Sequence, residues 1–140
     1  MAFKVFLDTN IFLDHFLQRN EYSSKILSLC EAGEIRGCAS SASFYTIAYL
    51  LGKSLSKKEA RNILSLYTNF IIIVPTIKEN LIQAFSSNFS DLEDAFLYFT
   101  ALHNTSMEYF LTNNIKDFKS AIPSLLVVTP EEFLSHQYLK

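Results

Sequence analysis

The chain holds five aspartates, Asp8, Asp14, Asp91, Asp94 and Asp117. Asp8 closes the apolar run Phe3-Lys-Val-Phe-Leu7 and opens the segment Asp8-Thr9-Asn10. If that run is a strand of a parallel sheet, Asp8 lies on the carboxyl edge, where such sheets bind ligands. A carboxylate there serves a metal ion or a proton transfer. The competing assignment is a cap, its oxygens taking free N–H groups of the following helix. Asp91 and Asp94 are three apart on a predicted helix and share a face, with Glu93 pointing elsewhere. Two close carboxylates repel each other, and their spacing suits a shared divalent cation. They also complement the helix dipole, and Ser90-Asp-Leu-Glu93 reads as a capping box. Asp117 follows a Thr112-Asn-Asn114 loop after the apolar run Tyr109-Phe-Leu111. That loop again falls on a ligand-binding edge, or is a turn in which Asn and Asp bond their own backbone. Asp14, a turn and more beyond Asp8, reads as part of a solvated helix face.

The elements that must position these acids follow from the apolar periodicity. Strands are expected at Phe3–Leu7, Arg36–Ala39, Phe70–Val74, Tyr109–Leu111 and Leu125–Val128, with the β-branched Phe70–Val74 run the clearest. Helices are expected at Asn10–Leu17, Glu21–Ala32, Ala42–Leu51, from Ser56 to Asn69, from Thr76 to about Ser87, and from Ser90 to about His103. Capping boxes at Ser56-Lys-Lys-Glu59, Thr76-Ile-Lys-Glu79 and Ser90-Asp-Leu-Glu93 mark three helix starts. Thr129 with Pro130 marks the last. Short apolar strands separated by helices argue for an α/β fold with a mostly parallel, two-sided sheet and right-handed crossovers. If the first and fourth strands are neighbours, the strand order reverses between them, and the acidic regions converge there.

Composition bounds the reading. A length of 140 residues fits one domain spanning 1–140, and 49% hydrophobic against 19% charged residues excludes intrinsic disorder. Three Gly and three Pro leave no linker. Cys30 and Cys38 fit no zinc or disulfide spacing and read as reduced thiols in a cytoplasmic protein. His15, His103 and His136 show no metal-ligand spacing. No long apolar run or cleavable leader is evident, so neither membrane nor secretion is expected. A net charge of −2 argues against coating nucleic acid by bulk electrostatics but not against an enzyme touching a few nucleotides.

Taken in order, Asp8-Thr-Asn-Ile-Phe-Leu-Asp14, Asp91-Leu-Glu-Asp-Ala95 and Thr112-Asn-Asn-Ile-Lys-Asp-Phe118 resemble the motifs of the PIN domain, and the likeness runs from about Val5 to Phe133. The resemblance implies a three-layer α/β/α fold around a five-stranded parallel sheet of order 3-2-1-4-5. It further implies an acid cluster that binds Mg2+ or Mn2+ and cuts single-stranded RNA. Many small members are VapC-type toxins held inactive by an antitoxin, so an antitoxin partner is expected. A homodimer is expected too, though no single stripe marks its interface. Asp8 and Asp94 match the family's first and third acids, and its fourth acidic region falls on Asn114 and Asp117. The family's second acid, a Glu on the helix after the second strand, has no counterpart. Thr46 stands in its place within Ser40-Ser-Ala-Ser-Phe-Tyr-Thr-Ile-Ala-Tyr49, leaving Asp8, Asp94, Asp117 and Asp91 as metal ligands.

A hard cation accepts such a set, because Mg2+ commonly uses one or two carboxylates and keeps several waters. Thr9, Asn10, Thr46, Thr112 and Asn114 are candidates to orient ligands or waters around it. RNA contacts are expected from Lys53, Lys57, Lys58 and Arg61, with Lys116 and Lys119 beside the acids; the alternative for these charges is a solvated helix face. Tyr45 and Tyr49 are candidates to stack a base, although an apolar helix uses such residues mainly in its core. A two-component receiver domain is excluded: it needs an acid ending the third strand and a Lys ending the fifth, where this chain has Val74-Pro75 and Val128-Thr129. A haloacid-dehalogenase-type phosphatase wants Asp-x-Asp where this chain has Asp8-Thr-Asn10. The remaining rival is a PIN-like RNA- or protein-binding module without metal-dependent activity.

Overall fold

The computed structural model describes residues 2–119, 121 and 125–135. The chain runs β1 (Phe3–Leu7), α1 (Thr9–Phe16), α2 (Glu21–Glu31), β2 (Ile35–Ser40), α3 (Ser41–Leu51), α4 (Lys57–Tyr67) and β3 (Ile72–Val74). It continues through α5 (Lys78–Phe85), α6 (Leu92–His103), β4 (Tyr109–Leu111), a 3-10 turn (Ile115–Phe118), β5 (Leu126–Val128) and α7 (Pro130–Phe133). All strand pairings are parallel and the order is β3-β2-β1-β4-β5, the order the resemblance implied.

β1 is the middle strand. It pairs with β2 through Val5↔Gly37 and with β4 through Val5↔Tyr109. Successive side chains of a strand face opposite sides. Val5 and Leu7 therefore enter a core shared with α1, α2, α3, α4 and α7, while Phe6 enters a second core with α5, α6 and the 3-10 turn. Two covered faces explain why β1 is apolar at consecutive positions rather than alternating. In the second core the Phe6 and Phe110 rings stack at 5.4 Å, and Phe118 lies 4.8 Å from Phe110. No helix among the described residues is long and apolar enough to cross a membrane.

Local signals mark most starts and stops. At Gly33 (φ 79°) the N–H groups of Gly33 and Glu34 bond the Cys30 and Leu29 carbonyls, closing α2 as a Schellman motif. Ser56 with Glu59 forms the expected capping box, and Thr129, the expected N-cap, forms a further one with Glu132. Two other boxes do not form. α5 is capped by Asn80, whose Oδ1 accepts from Ile77 N at 2.9 Å, because the Thr76 hydroxyl is taken by Ser40 (3.1 Å) and Thr100 (2.6 Å). α6 is capped by Asp91, not Ser90: its Oδ1 accepts from Asp94 N at 3.0 Å.

The run Phe70–Val74 supplies only a three-residue strand, Ile72–Val74, at the sheet edge, with Ile72 and Ile73 exposed. Its β-branched residues fit a pleated backbone, but their composition does not say how many faces are covered. Tyr45 and Tyr49 lie on the solvent side of α3, not in the core.

Gly37 is a packing requirement. A Cβ there would stand 2.6 Å from the Cys30 Sγ and 3.2 Å from Ile71 Cδ1. Gly37→Ala should cost about 1–3 kcal/mol in urea unfolding, as overpacked cores do, and Cys30→Ala in the same chain should recover part of the loss. An unchanged unfolding midpoint for Gly37→Ala would contradict this packing.

Candidate active site

The chain reverses its direction of winding between β1 and β4, and the carboxyl ends of these two strands make the site. The Asp8 backbone N–H donates to the Leu111 carbonyl at 2.9 Å, so the sheet ladder runs right up to the acid. Asp8 is 4% exposed. Its Oδ1 accepts from Thr9 N at 2.7 Å, which makes it the cap of α1. Its Oδ2 accepts from Thr112 Oγ1 at 2.7 Å and from Asn10 Nδ2 at 3.2 Å. The capping assignment holds for one oxygen, while the other is held by Thr112 and Asn10.

Burial raises Asp8 from 3.8 to about 6, against the lowering effect of the Thr112 and Thr9 bonds, and Glu93 and Asp91 raise it further. Asp94, half-buried in the first turn of α6, is raised to about 7 by burial and then by the charges of Asp8, Asp91, Asp117 and Glu93. The field of every acid around the edge thus converges on Asp94. The exposed Glu93 adds its charge to this field at both Asp94 and Asp8. Asp91 precedes the helix as its cap, so the two residues do not share a helix face as the spacing had implied.

Asp117 lies in the 3-10 turn, where Asn114 Nδ2 donates to its Oδ2. The next residue, Phe118, is buried against Phe110 and Phe89, which anchors the turn to the second core. Thr112 is fully buried, and its Oγ1 also accepts from Asn114 N at 3.0 Å. Lys116 and Lys119 flank Asp117 at the surface.

From α3 the residue that reaches the edge is Ser43, whose hydroxyl shares a 2.7 Å hydrogen bond with that of Thr9. Thr46, one turn later, turns its hydroxyl back to the Ala42 carbonyl at 3.4 Å. Lys53, Lys57, Lys58 and Arg61 are exposed beyond the 11-residue α3 and along α4. The start of α3 is thus roughly 16 Å of helix from Lys53, whose Nζ lies 4.6 Å from the Tyr49 ring centroid.

Asp14 is not simply solvated. It pairs with Arg19 at 2.7 Å and accepts from Asn113 Nδ2 at 2.7 Å. His15 Nδ1 bonds Ser24 at 2.8 Å and packs between helices, His103 is exposed, and His136 lies outside the described residues. Cys30 and Cys38 are free and buried, and burial pushes the Cys30 thiol up to about 12. Among the described residues, no three acids, histidines or cysteines form a ready-made metal-ligand group.

A model of the PIN domain matches residues 4–116. The chain belongs to the PIN domain family. No curated protein matches it. Solved structures similar to this PIN domain include VapBC2 of Rickettsia felis bound to a promoter DNA fragment, with a TM-score of 0.69 and 19% identity over 90% of this chain and 98% of that one. A toxin–antitoxin complex of Klebsiella pneumoniae matches with a TM-score of 0.67 and 26% identity, covering 90% and 97%. DNA-bound VapBC of Salmonella typhimurium matches at 0.70 and 18%, covering 92% and 99%.

The raised carboxylates make one contribution to the pH dependence of this PIN domain, and His15 and Glu59, both lowered, contribute in the opposite sense. Between about pH 4 and 7 Asp8 and Asp94 keep protons in the folded protein that the unfolded chain has released, so their contribution to metal-free stability falls as pH rises through that window. Asp94→Asn should remove much of that fall. Melting in EDTA should therefore decline toward neutrality more in the wild type than in Asp94→Asn. Parallel profiles would refute the acid cluster's role.

Proposed function

We propose that the protein is a Mg2+- or Mn2+-dependent endoribonuclease that cleaves single-stranded RNA, and that it is the toxin of a toxin–antitoxin pair. The observation that carries the reading is the negative charge at the β1–β4 edge, where burial first and the neighbouring acids second raise Asp8 to about 6 and Asp94 to about 7. The donor set fits a hard cation, since it is all oxygen and its mutual repulsion is what a divalent ion relieves. Such an ion keeps several of its waters and takes one or two carboxylates directly, so the reading does not need all the acids in one coordination shell. When bound, such an ion lowers the pKa of a water and neutralises charge developing on a phosphodiester.

The chain's own part is to aim and hold oxygens. Thr112 and Asn10 fix the Asp8 carboxylate, Asp91 fixes the first turn of α6 that carries Asp94, and Asn114 fixes Asp117. Asp8, Asp94 and Asp117, with Asp91 beside them, are the proposed ligands and catalytic acids. Thr9 holds α1 to Ser43 of α3 and so supports Asp8 from behind. Lys116 and Lys119 beside the acids, with Lys53, Lys57, Lys58 and Arg61 farther out, are the proposed contacts for RNA phosphates. Residues 1–140 act as one domain in the cytoplasm, with an antitoxin and a second copy of the chain as protein partners. The neighbours that are toxin–antitoxin complexes support the antitoxin.

Incubation of purified protein with single-stranded RNA, in Mn2+ and in EDTA, tests the reading. Cleavage should require Mn2+ and be lost in Asp94→Asn. At a hundredfold excess over its dissociation constant, Mn2+ should stabilise the wild type by about 2.7 kcal/mol, and Asp94→Asn should lose most of that gain. Intact RNA together with identical melting curves in Mn2+ and EDTA would favour the metal-free binding module, which the substitution at Thr46 makes the rival reading.

Thr46→Glu separates the two further. A carboxylate at the place of the family's second acid should raise Mn2+ affinity in calorimetric titration. The same charge should lower the melting point in EDTA, because it repels the aspartates. If neither changes, Thr46 does not face the cluster.

A further inference from the structure

The geometry points to Asn113 as a positioning residue that clamps the loop bearing Asn114 and Asp117 onto α1 and α2, in register with Asp8. Asn113 ligates nothing in the site described above, and its neighbours Thr112 and Asn114 take the contacts to the acids. Its own groups turn the other way. The backbone N–H donates to Asn10 Oδ1 at 3.2 Å. The side-chain Nδ2 donates to Asp14 Oδ2 at 2.7 Å and to Ser23 Oγ at 2.8 Å, while Oδ1 accepts from Asn20 Nδ2 at 3.4 Å.

Every partner in this set is itself held. Asn10 donates its amide to Asp8 and Thr112, so the two amide faces of one side chain join the acid to the loop. Asp14 is fixed by Arg19, through Nε at 3.0 Å and a terminal nitrogen at 2.7 Å. Ser23 is fully buried, and Asn20 caps α2 by accepting from Tyr22 N and Ser23 N. Among the described residues no buried side-chain polar atom lacks a partner, so the network is complete. The network is part-buried, built around the buried Ser23 with Arg19 at its solvent end. Polar groups that satisfy one another in this way hold each other in place.

The consequence for the site is mechanical. The 3-10 turn is anchored at its far end by Phe118 in the second core, on the opposite side of the sheet from α1 and α2. Asn113 supplies the near anchor. With both ends held, Asn114 and Asp117 have a fixed place relative to Asp8; with the side-chain anchor cut, the Thr112 contacts and the Asn113 N–H bond to Asn10 remain. Groups that orient metal ligands without touching the metal typically change affinity or activity by about 10–100-fold when removed.

This inference rests on the nuclease reading for its catalytic consequence, but the clamp itself is measurable without it. In Asn113→Ala, amide hydrogen exchange of the metal-free protein should quicken at least about tenfold over residues 113–118, while β1 and α6 keep their protection. Mn2+ affinity by titration, and kcat for RNA cleavage, should each fall about 10–100-fold. Asp14→Ala, which removes one of the three side-chain contacts, should loosen the same segment less. The double variant should be little worse than Asn113→Ala, which already lacks the Asp14 contact. Unchanged exchange over 113–118 overturns the clamp. Loosened exchange with unaltered Mn2+ affinity and cleavage overturns the positioning role. A loss of cleavage that merely tracks the unfolded fraction, and vanishes on cooling, overturns it as well. A wild type that neither binds Mn2+ nor cuts RNA sinks the nuclease reading, and the exchange comparison then decides the clamp by itself.

Discussion

The rest of the molecule is arranged around one expensive group, the buried carboxylate of Asp8. An ionised carboxyl taken from water is tolerated only when its oxygens find donors. Here the donors come from three places: the first N–H of α1, the Thr112 hydroxyl after β4 and the Asn10 amide. Two of these are local and one is tertiary. The N–H requires the chain to turn into a helix immediately after β1. The hydroxyl requires β4 to lie beside β1, although more than a hundred residues separate the two in sequence. Even with these bonds, burial prevails and leaves Asp8 at about 6.

That tension connects the fold to the proposed chemistry. The strand order makes β1 and β4 neighbours, so a crevice opens between the connections leaving their carboxyl ends. α6 crosses toward β4 on one face of the sheet with Asp94 in its first turn, and the 3-10 turn brings Asp117 from the other connection. Like charges drawn together in this way oppose folding until something positive offsets them. The aromatic packing of Phe6, Phe110 and Phe118 beneath the crevice gives the acids a rigid base.

Much of this was legible in the residues. The alternation of short apolar runs and amphipathic stretches gives the α/β class, and Asp8, Asp94 and Asp117 stand out because the chain has so few aspartates. What was illegible shares a cause. Thr76 and Ser90 satisfy the capping-box pattern, yet Thr76 is bonded to Ser40 and Thr100, and Asp91 outcompetes Ser90 by one position. Local patterns state what a residue is able to bond, and competition from other partners, adjacent as for Ser90 or distant as for Thr76, decides what it does bond. Asp14 and Asn113 show the same limit, since nothing in their own segments reveals that they meet.

The sequence by itself determined the periodicities, the helix stops such as Gly33, the three acidic segments and the oxygen-only character of the donor set, because these depend on side-chain chemistry and on contacts a few residues apart. Tertiary structure alone decided which acids feel one another and how strongly. It buried Asp8 while leaving Asp91 exposed, brought Glu93 into the field of Asp8, and chose Ser43 rather than Thr46 to meet Thr9. The physical reason is that desolvation and Coulomb repulsion depend on distance and surroundings in space, and a parallel sheet sets those distances through strand neighbours that lie far apart in the chain.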